Sequence, residues 1–251
     1  MQPKDYQDSF FEYHLQGAIA SAENVIPVLL EYVSPASVID IGCGIGAWLK
    51  IWQSKGVKEI TGVDGDYVNR KQLQIKEENF HAFNLADGYK SNKRYDLVTN
   101  LEVAEHLPAN NADAFIDSLC KLGDVIVFSA AVPGQGGTMH VNEQYPEYWA
   151  NIFSKKGYVP VDCIRHRIWN DNRIQWWYRQ NILFFVKESV LANYPKLNEA
   201  YKGIGNNALS FIHPELYKEK EDKVNYYEST LKTNAGIFKY LLWSLFSKKK
   251  G

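Results

Sequence analysis

The stretch Val38-Ile39-Asp40-Ile41-Gly42-Cys43-Gly44-Ile45-Gly46-Ala47-Trp48-Leu49 decides the fold. Ser37 to Ile41 is a β-branched, apolar run of strand length. Glycines at alternate positions break it, and Ala47, Leu49, Ile51 and Trp52 then follow a helical pattern. A strand, a glycine turn and a helix start, in that order, set bare backbone N–H groups beside the positive end of a helix dipole. That is a cradle for the polar, partly anionic portion of a nucleotide-like cofactor. A Cβ in the turn would block both the tight bend and the approach of the ligand.

The spacing leaves the cofactor open. Gly42, Gly44 and Ala47 also satisfy the dinucleotide pattern G-x-G-x-x-G/A. Asp64 follows roughly 20 residues on, closing the run Glu59-Ile60-Thr61-Gly62-Val63, where a carboxylate can accept both ribose hydroxyls. An NAD-type oxidoreductase would use the same device, and any βα unit can close on a glycine turn.

Asp40-x-Gly42-x-Gly44-x-Gly46 resembles the first motif of the class I S-adenosylmethionine (SAM) dependent methyltransferases, in which an acidic residue precedes the glycines by two. Gly62-Val63-Asp64-Gly65 resembles the second motif. Tyr95-Asp96-Leu97-Val98-Thr99-Asn100-Leu101-Glu102-Val103-Ala104-Glu105-His106-Leu107 resembles the segment around the fourth strand, and Val125-Ile126-Val127-Phe128-Ser129 the fifth strand. The motifs stand in family order over roughly residues 20 to 187. The resemblance implies SAM as cofactor and S-adenosylhomocysteine as product. It assigns cofactor binding to Asp40, Gly42, Cys43, Gly44, Gly46, Trp48, Asp64, Gly65, Asn84, Leu85 and Leu101. Asn84 stands where the family usually has an Asp on the adenine amino group; its carbonyl oxygen can accept the same bond, or it is a plain turn residue.

The expected fold is a Rossmann-like α/β sheet of seven strands, mostly parallel with the last antiparallel, and helices on both faces. Strands are expected near 37–41, 59–63, 79–83, 95–99, 124–129, 157–162 and 181–187, with helices near 17–32, 46–54, 66–77, 111–121 and 143–155. Residues 1–188 are expected to form the methyltransferase domain and 189–251 a helical C-terminal extension.

Methyl transfer to an alcohol needs a place for the hydroxyl proton. His140 in the glycine-rich loop after the fifth strand is the favoured base, with Glu102 and His106 behind it; the last two share one face if a helical turn forms. Asn142, Glu143 and Gln144 from the same loop are expected to recognise substrate. Arg167, Trp177 and Tyr178 come from an aromatic and arginine cluster suited to sugar rings or phosphates. The Trp-Tyr-Arg-Gln-Asn and His-Val-Asn-Glu-Gln runs, with Tyr148-Trp149, resemble bacterial methyltransferases of surface-polysaccharide and glycan pathways. The segment after the fourth strand is not Asn-Pro-Pro-Tyr, which argues against methylation of nucleobase amines. No metal is expected.

The 251 residues are 45% hydrophobic, enough for one sizeable α/β core with decorations. A net charge of −1 gives no general attraction for nucleic acid. Cys43, Cys120 and Cys163 are scattered without ligand spacing, which fits a reducing cytoplasm. Residues 237–250, aromatic and then lysine-rich, are too short to span a bilayer but suit a peripheral membrane contact or a partner. Two alternatives to an O-methyltransferase of a sugar or glycan remain: the NAD-type oxidoreductase, and a non-catalytic methyltransferase-fold module in a membrane-associated complex.

Overall fold

In a computed structural model the chain is described for residues 3–204, 209–232 and 237–238. The elements of its first compact unit, residues 1–211, run α1 (Pro3–Leu30), β1 (Ser37–Ile41), α2 (Ala47–Ser54), β2 (Glu59–Asp64), β3 (Phe80–Ala82), β4 (Leu97–Leu101), α3 (Ala112–Leu122), β5 (Val125–Ser129), α4 (Pro146–Ser154), β6 (Tyr158–Val161), α5 (Arg165–Ile168), α6 (Trp176–Asn181), β7 (Leu183–Lys187) and α7 (Pro195–Ile204). The strands form one sheet in the order β3-β2-β1-β4-β5-β7-β6, with β7 antiparallel to both neighbours.

Period-two patterning divides the core between the two faces. On one face Val38, Val125, Val127, Phe184 and Val186 pack with Leu49 and Trp52 of α2 and the stripe Ala22, Val25, Ile26 and Leu29 of α1. On the other, Ile39, Ile41, Ile126, Phe128, Leu183 and Phe185 pack with Phe115, Ile116 and Leu119 of α3 and Trp149 and Phe153 of α4. β1, β4 and β5 are buried along their whole length, as expected of central strands covered on both sides.

Three expectations are corrected. Residues 66–77 do not form an α-helix; they carry a 3₁₀ turn at Arg70–Gln72 and otherwise run irregularly. The Gln74 N–H donates to the Ile45 carbonyl (2.7 Å), and Ile75 is drawn into the core beside the glycine turn, so tertiary packing overrides local pattern. The last strand begins at Leu183 rather than 181, because Asn181 ends α6. The first unit runs on to Phe211 rather than ending at 188: Leu191 and Leu197 are buried in its core, and the Glu147 carboxylate accepts the N–H groups of Leu209 and Ser210 (both 2.9 Å).

The second unit starts at Ile212. Its helix α8 (Pro214–Leu231) is charged and exposes Tyr217, Tyr226 and Tyr227, with the His213 side chain accepting from the Glu215 N–H (3.3 Å) as its cap. Of residues 237–250, expected to touch a membrane, 239–250 lie outside the described residues. No described helix is long and apolar enough to cross a membrane.

Candidate active site

The glycine turn is tied to β2. The N–H groups of Gly42 and Cys43 both donate to the Val63 carbonyl (2.7 and 3.2 Å). Asp64, at the end of β2 and 5% exposed, closes the arrangement. Its Oδ2 accepts from the Gly44 N–H (2.7 Å), and its Oδ1 from the Gly65 N–H (2.6 Å) and the Tyr67 hydroxyl (2.5 Å). Gly42 has a φ of 84°, and a Cβ on it would lie 2.3 Å from Val103 Cγ2, so this glycine lets two loops touch. Gly44 has a φ of 52°, and a Cβ there would meet no atom within 4 Å. Gly44 therefore borders open space at the head of α2, beside the carboxylate of Asp64. The turn's N–H groups are spent on Val63 and Asp64, so what a nucleoside cofactor would fit here is the carboxylate of Asp64 and the open space beside Gly44.

Asp40, 3% exposed, sits beneath the turn. The Thr99 hydroxyl donates to its Oδ1 (2.6 Å). Burial pushes its carboxyl up to about 7, Thr99 works the other way, and the charge of Asp64 adds to the rise. Trp48 meets the ring of Tyr178 edge to face at 5.1 Å. Burial, then the charge of Glu102, pushes the Tyr178 phenol up, so it stays a neutral wall. Cys43 is buried and its thiol is pushed up by that burial, which excludes a nucleophilic role.

Beyond β4 the chain builds a second constellation. Leu101 ends the strand, and Glu102 follows with a φ of 55°, unusual for a residue with a side chain. The strain is held by partners. Gln135 Nε2 donates to Glu102 Oε2 (2.8 Å), Asn181 Nδ2 donates to Glu102 Oε1 (3.1 Å) and to Gln135 Oε1 (2.9 Å), and the Glu102 N–H reaches the Ser129 carbonyl (3.0 Å). Burial still raises the Glu102 carboxyl above the usual range, with Asn181 and Gln135 opposing.

A 3₁₀ turn at Ala104–His106 comes next. The loop after β5 folds onto it, the N–H groups of Val141 and Asn142 donating to the Glu105 carbonyl (2.9 and 3.0 Å). The rings of His106 and His140 thereby meet at 4.8 Å, near perpendicular. His140 Nδ1 lies 3.0 Å from Glu143 Oε1, and the N–H groups of Gly134 and Gly136 donate to the same carboxylate (both 2.7 Å). Burial opposes the charge on Glu143, but His140 and these N–H groups outweigh it and hold the carboxyl below its usual range. An ionised carboxylate only accepts, so Nδ1 of His140 carries the proton in this pair, and in the neutral ring Nε2 is the nitrogen left to accept.

The structure thus gathers His140, His106 and Glu102 near one another, but not as a helical face. Glu102 is held by Gln135 and Asn181, and Glu105 is the carboxylate grouped with the two histidines. Glu143 and Asn142 act inside the loop: Glu143 orients His140, and Asn142 Oδ1 accepts from Gln144 Nε2 (3.0 Å). Asn84 caps the turn Leu85–Asp87, its Oδ1 accepting from the Ala86 N–H (3.3 Å) and its Nδ2 donating to Asp87 (3.0 Å). Arg167 does not offer a free cation to substrate, because its guanidinium makes a two-pronged pair with Glu31 (2.6 and 2.8 Å). Trp177 packs edge to face on Trp176 at 5.6 Å and beside Tyr178.

Sequence reasoning gave no role to Glu105, Gln135, Asn181 or Thr99. Glu105 stood in plain view one residue before His106, whereas Gln135 and Asn181 are brought to Glu102 only by the pairing of β5 with β7.

The fold is shared with solved methyltransferases. Magnesium protoporphyrin IX methyltransferase from Synechocystis PCC 6803, with SAM bound, is 20% identical, with 74% of this chain and 86% of that one covered and a TM-score of 0.50. DesVI from Streptomyces venezuelae is 11% identical, with 74% and 98% covered and a TM-score of 0.53. The plantazolicin methyltransferase BpumL, bound to a pentazolic desmethylPZN analog and S-adenosylhomocysteine, is 14% identical, with 74% and 91% covered and a TM-score of 0.50. No curated protein matches the chain. Residues 11–179, well over half of the chain, match the model of a methyltransferase domain, and the chain belongs to that methyltransferase family.

Proposed function

We propose that the chain transfers the methyl group of SAM to a hydroxyl oxygen of a sugar or glycan intermediate. The observation that carries the reading is the constellation of Glu102, His106 and His140 just beyond Leu101, on the same edge of the sheet as the glycine turn. SAM supplies an electrophilic methyl on a sulfonium; the acceptor oxygen bonds to that carbon while the carbon–sulfur bond breaks and its electron pair stays on sulfur.

The residues divide the work. The glycine turn and Asp64 hold the nucleoside, with the exposed Tyr67 hydroxyl yielding its place on Oδ1 to a ribose hydroxyl. Asp40, once ionised, faces the cationic end. Trp48 and Tyr178 exclude water. His140, aimed by Glu143, receives the acceptor proton through Nε2. Positioning of this kind is worth a large part of the barrier, and proton acceptance adds about 10²–10⁴-fold. Trp177 supports a polyhydroxylated acceptor, as does the resemblance of the 140–144 and 177–181 runs to glycan methyltransferases. The Glu31 pairing of Arg167 leaves phosphate recognition without support.

The test is a thermal-shift panel of SAM, S-adenosylhomocysteine, NAD and NADP, followed by labelled-SAM turnover on nucleotide sugars and oligosaccharides. Ligand at about 100 times Kd adds about 2.7 kcal/mol, a rise of about 5–10 °C for a domain of this size. A shift with NAD alone overturns the cofactor. A SAM shift with turnover on amines or peptides but no hydroxyl substrate overturns the acceptor.

A further inference from the structure

Glu105 is the anomaly of the molecule. Its side chain is wholly buried, and among the described residues neither carboxylate oxygen has a hydrogen-bond partner. The backbone N–H groups of Glu105 itself and of Ala131 ease the burial electrostatically without completing a hydrogen bond to either oxygen. The charge of the partly buried Glu102 acts on it as well, so two carboxyls share one neighbourhood. Ionised, a buried carboxyl without donors costs several kcal/mol unless something cationic meets it. The groups facing it are His106 and His140: the carboxylate and one nitrogen of each ring all lie within 4.8 Å of one another.

We propose that Glu105, His106 and His140 form a binding site for a divalent first-row transition ion such as Mn²⁺ or Zn²⁺, with positions left open for the acceptor hydroxyl. Two imidazoles and one carboxylate are a donor set suited to such ions rather than to Ca²⁺, which takes oxygen alone. His140 is prepared as a ligand: Glu143 fixes the proton on Nδ1 and leaves Nε2 bare, as outer partners of metal-bound histidines do. Gly137 leaves room there, since a Cβ on it would lie 2.3 Å from Nε2. Bonds of about 2.0–2.2 Å hold ligand atoms no more than about 4.4 Å apart, so the three groups, within 4.8 Å of one another, need draw in by no more than a few tenths of an ångström.

This proposal departs from the expectation of a metal-free site, and the ion's catalytic role rests on the hydroxyl-acceptor reading above. With an ion in place His140 would serve as a ligand in place of its role as base, and the ion would acidify the acceptor hydroxyl, whose proton would pass to water.

The experiment is a Mn²⁺ titration of the EDTA-dialysed full chain, read by the paramagnetic resonance of free Mn²⁺, repeated by calorimetry with Zn²⁺. One equivalent should bind. Binding should weaken roughly tenfold or more in Glu105→Gln and in His106→Ala. Near-UV circular dichroism and the ion-free melting midpoint report folding, and E105Q should melt no lower than the unsubstituted chain because it removes a buried acid. No saturable binding, or binding unchanged in both variants, overturns the site. The SAM shift is measured on the same samples, so failure of the cofactor reading appears as an absent SAM shift with Mn²⁺ binding intact.

Discussion

The two ends of the candidate site are built in opposite ways. At the cofactor end backbone does the work: the N–H groups of Gly42, Cys43, Gly44 and Gly65 all have partners, and both oxygens of Asp64 accept from them or from Tyr67. At the acceptor end side chains do it. Glu102 is held in a strained backbone by Gln135 and Asn181, and the Glu105 carboxyl has no hydrogen-bond partner among the described residues. A satisfied network fixes a shape before its ligand arrives, whereas an unsatisfied one leaves its largest interaction to be made by what binds.

The sharpest way to break this comparison lies within the glycine turn. Gly44→Ala places a methyl group in the open space and should weaken SAM binding by about 100-fold or more, equivalent to about 2.7 kcal/mol. Its cost to the fold is the left-handed backbone alone, about 1–2 kcal/mol, or a drop of about 2–8 °C in melting midpoint. Gly42→Ala should behave in reverse. Its Cβ would press on Val103 at 2.3 Å, adding about 1–3 kcal/mol of overpacking to the same backbone strain. Calorimetry with SAM beside melting curves separates the two. If the Gly44 variant bound SAM normally, the open space beside it would not be the cofactor's.

Asp40 offers the next largest effect. Its carboxyl is raised to about 7 in the folded protein, so the fold prefers it neutral. The stability it contributes is fully present below the ordinary carboxylate range and is lost as pH rises through about 7. Binding of a cation runs the other way, since sulfonium and ammonium favour the ionised form. Affinity for SAM should therefore rise with pH, approaching tenfold per unit below about 7 and levelling above it. Asp40→Asn should flatten that profile and bind more weakly on the alkaline side. Calorimetry across neutrality tests both, and an unchanged slope in the variant would take Asp40 out of the cofactor site.

These differences also explain what was legible in the sequence. The proposed cofactor end lies in two contiguous runs, 40–48 and 62–65, and its glycines and Asp64 stand out because a tight strand-to-helix turn calls for those residue types. The alternation of Val38 with Ile39, and of Phe184 with Phe185, fixed which residues meet which face. Residues 66–77 depart from the expected helix because the bond from Gln74 to Ile45 that draws the segment onto the glycine turn is tertiary, and nothing local announces it. The acceptor end is assembled from 102–106, 135–143 and 181, and no local rule joins those three segments. Its histidines could be nominated from their chemistry, but the role of Glu105 depends on a burial that only the folded loop creates.

The smallest expected effect concerns the aromatic and arginine cluster. Interleaved arginines and tryptophans suggested a sugar or phosphate grip, yet Arg167 is committed to Glu31, Arg173 to Asp171 and Arg165 to Asp162. The Arg167 pair is partly exposed, its side chains being 34% and 47% accessible, and such pairs contribute little to stability. Arg167→Ala should leave the SAM shift unchanged, KM for the acceptor unchanged and the melting midpoint within measurement scatter. Trp177→Ala makes the contrast, because its ring lies against Tyr178, which faces Trp48. KM for the acceptor should rise several-fold in this variant while the SAM shift persists. A rise in KM with Arg167→Ala instead would mean that substrate displaces Glu31, and that the arginines belong to the acceptor site after all.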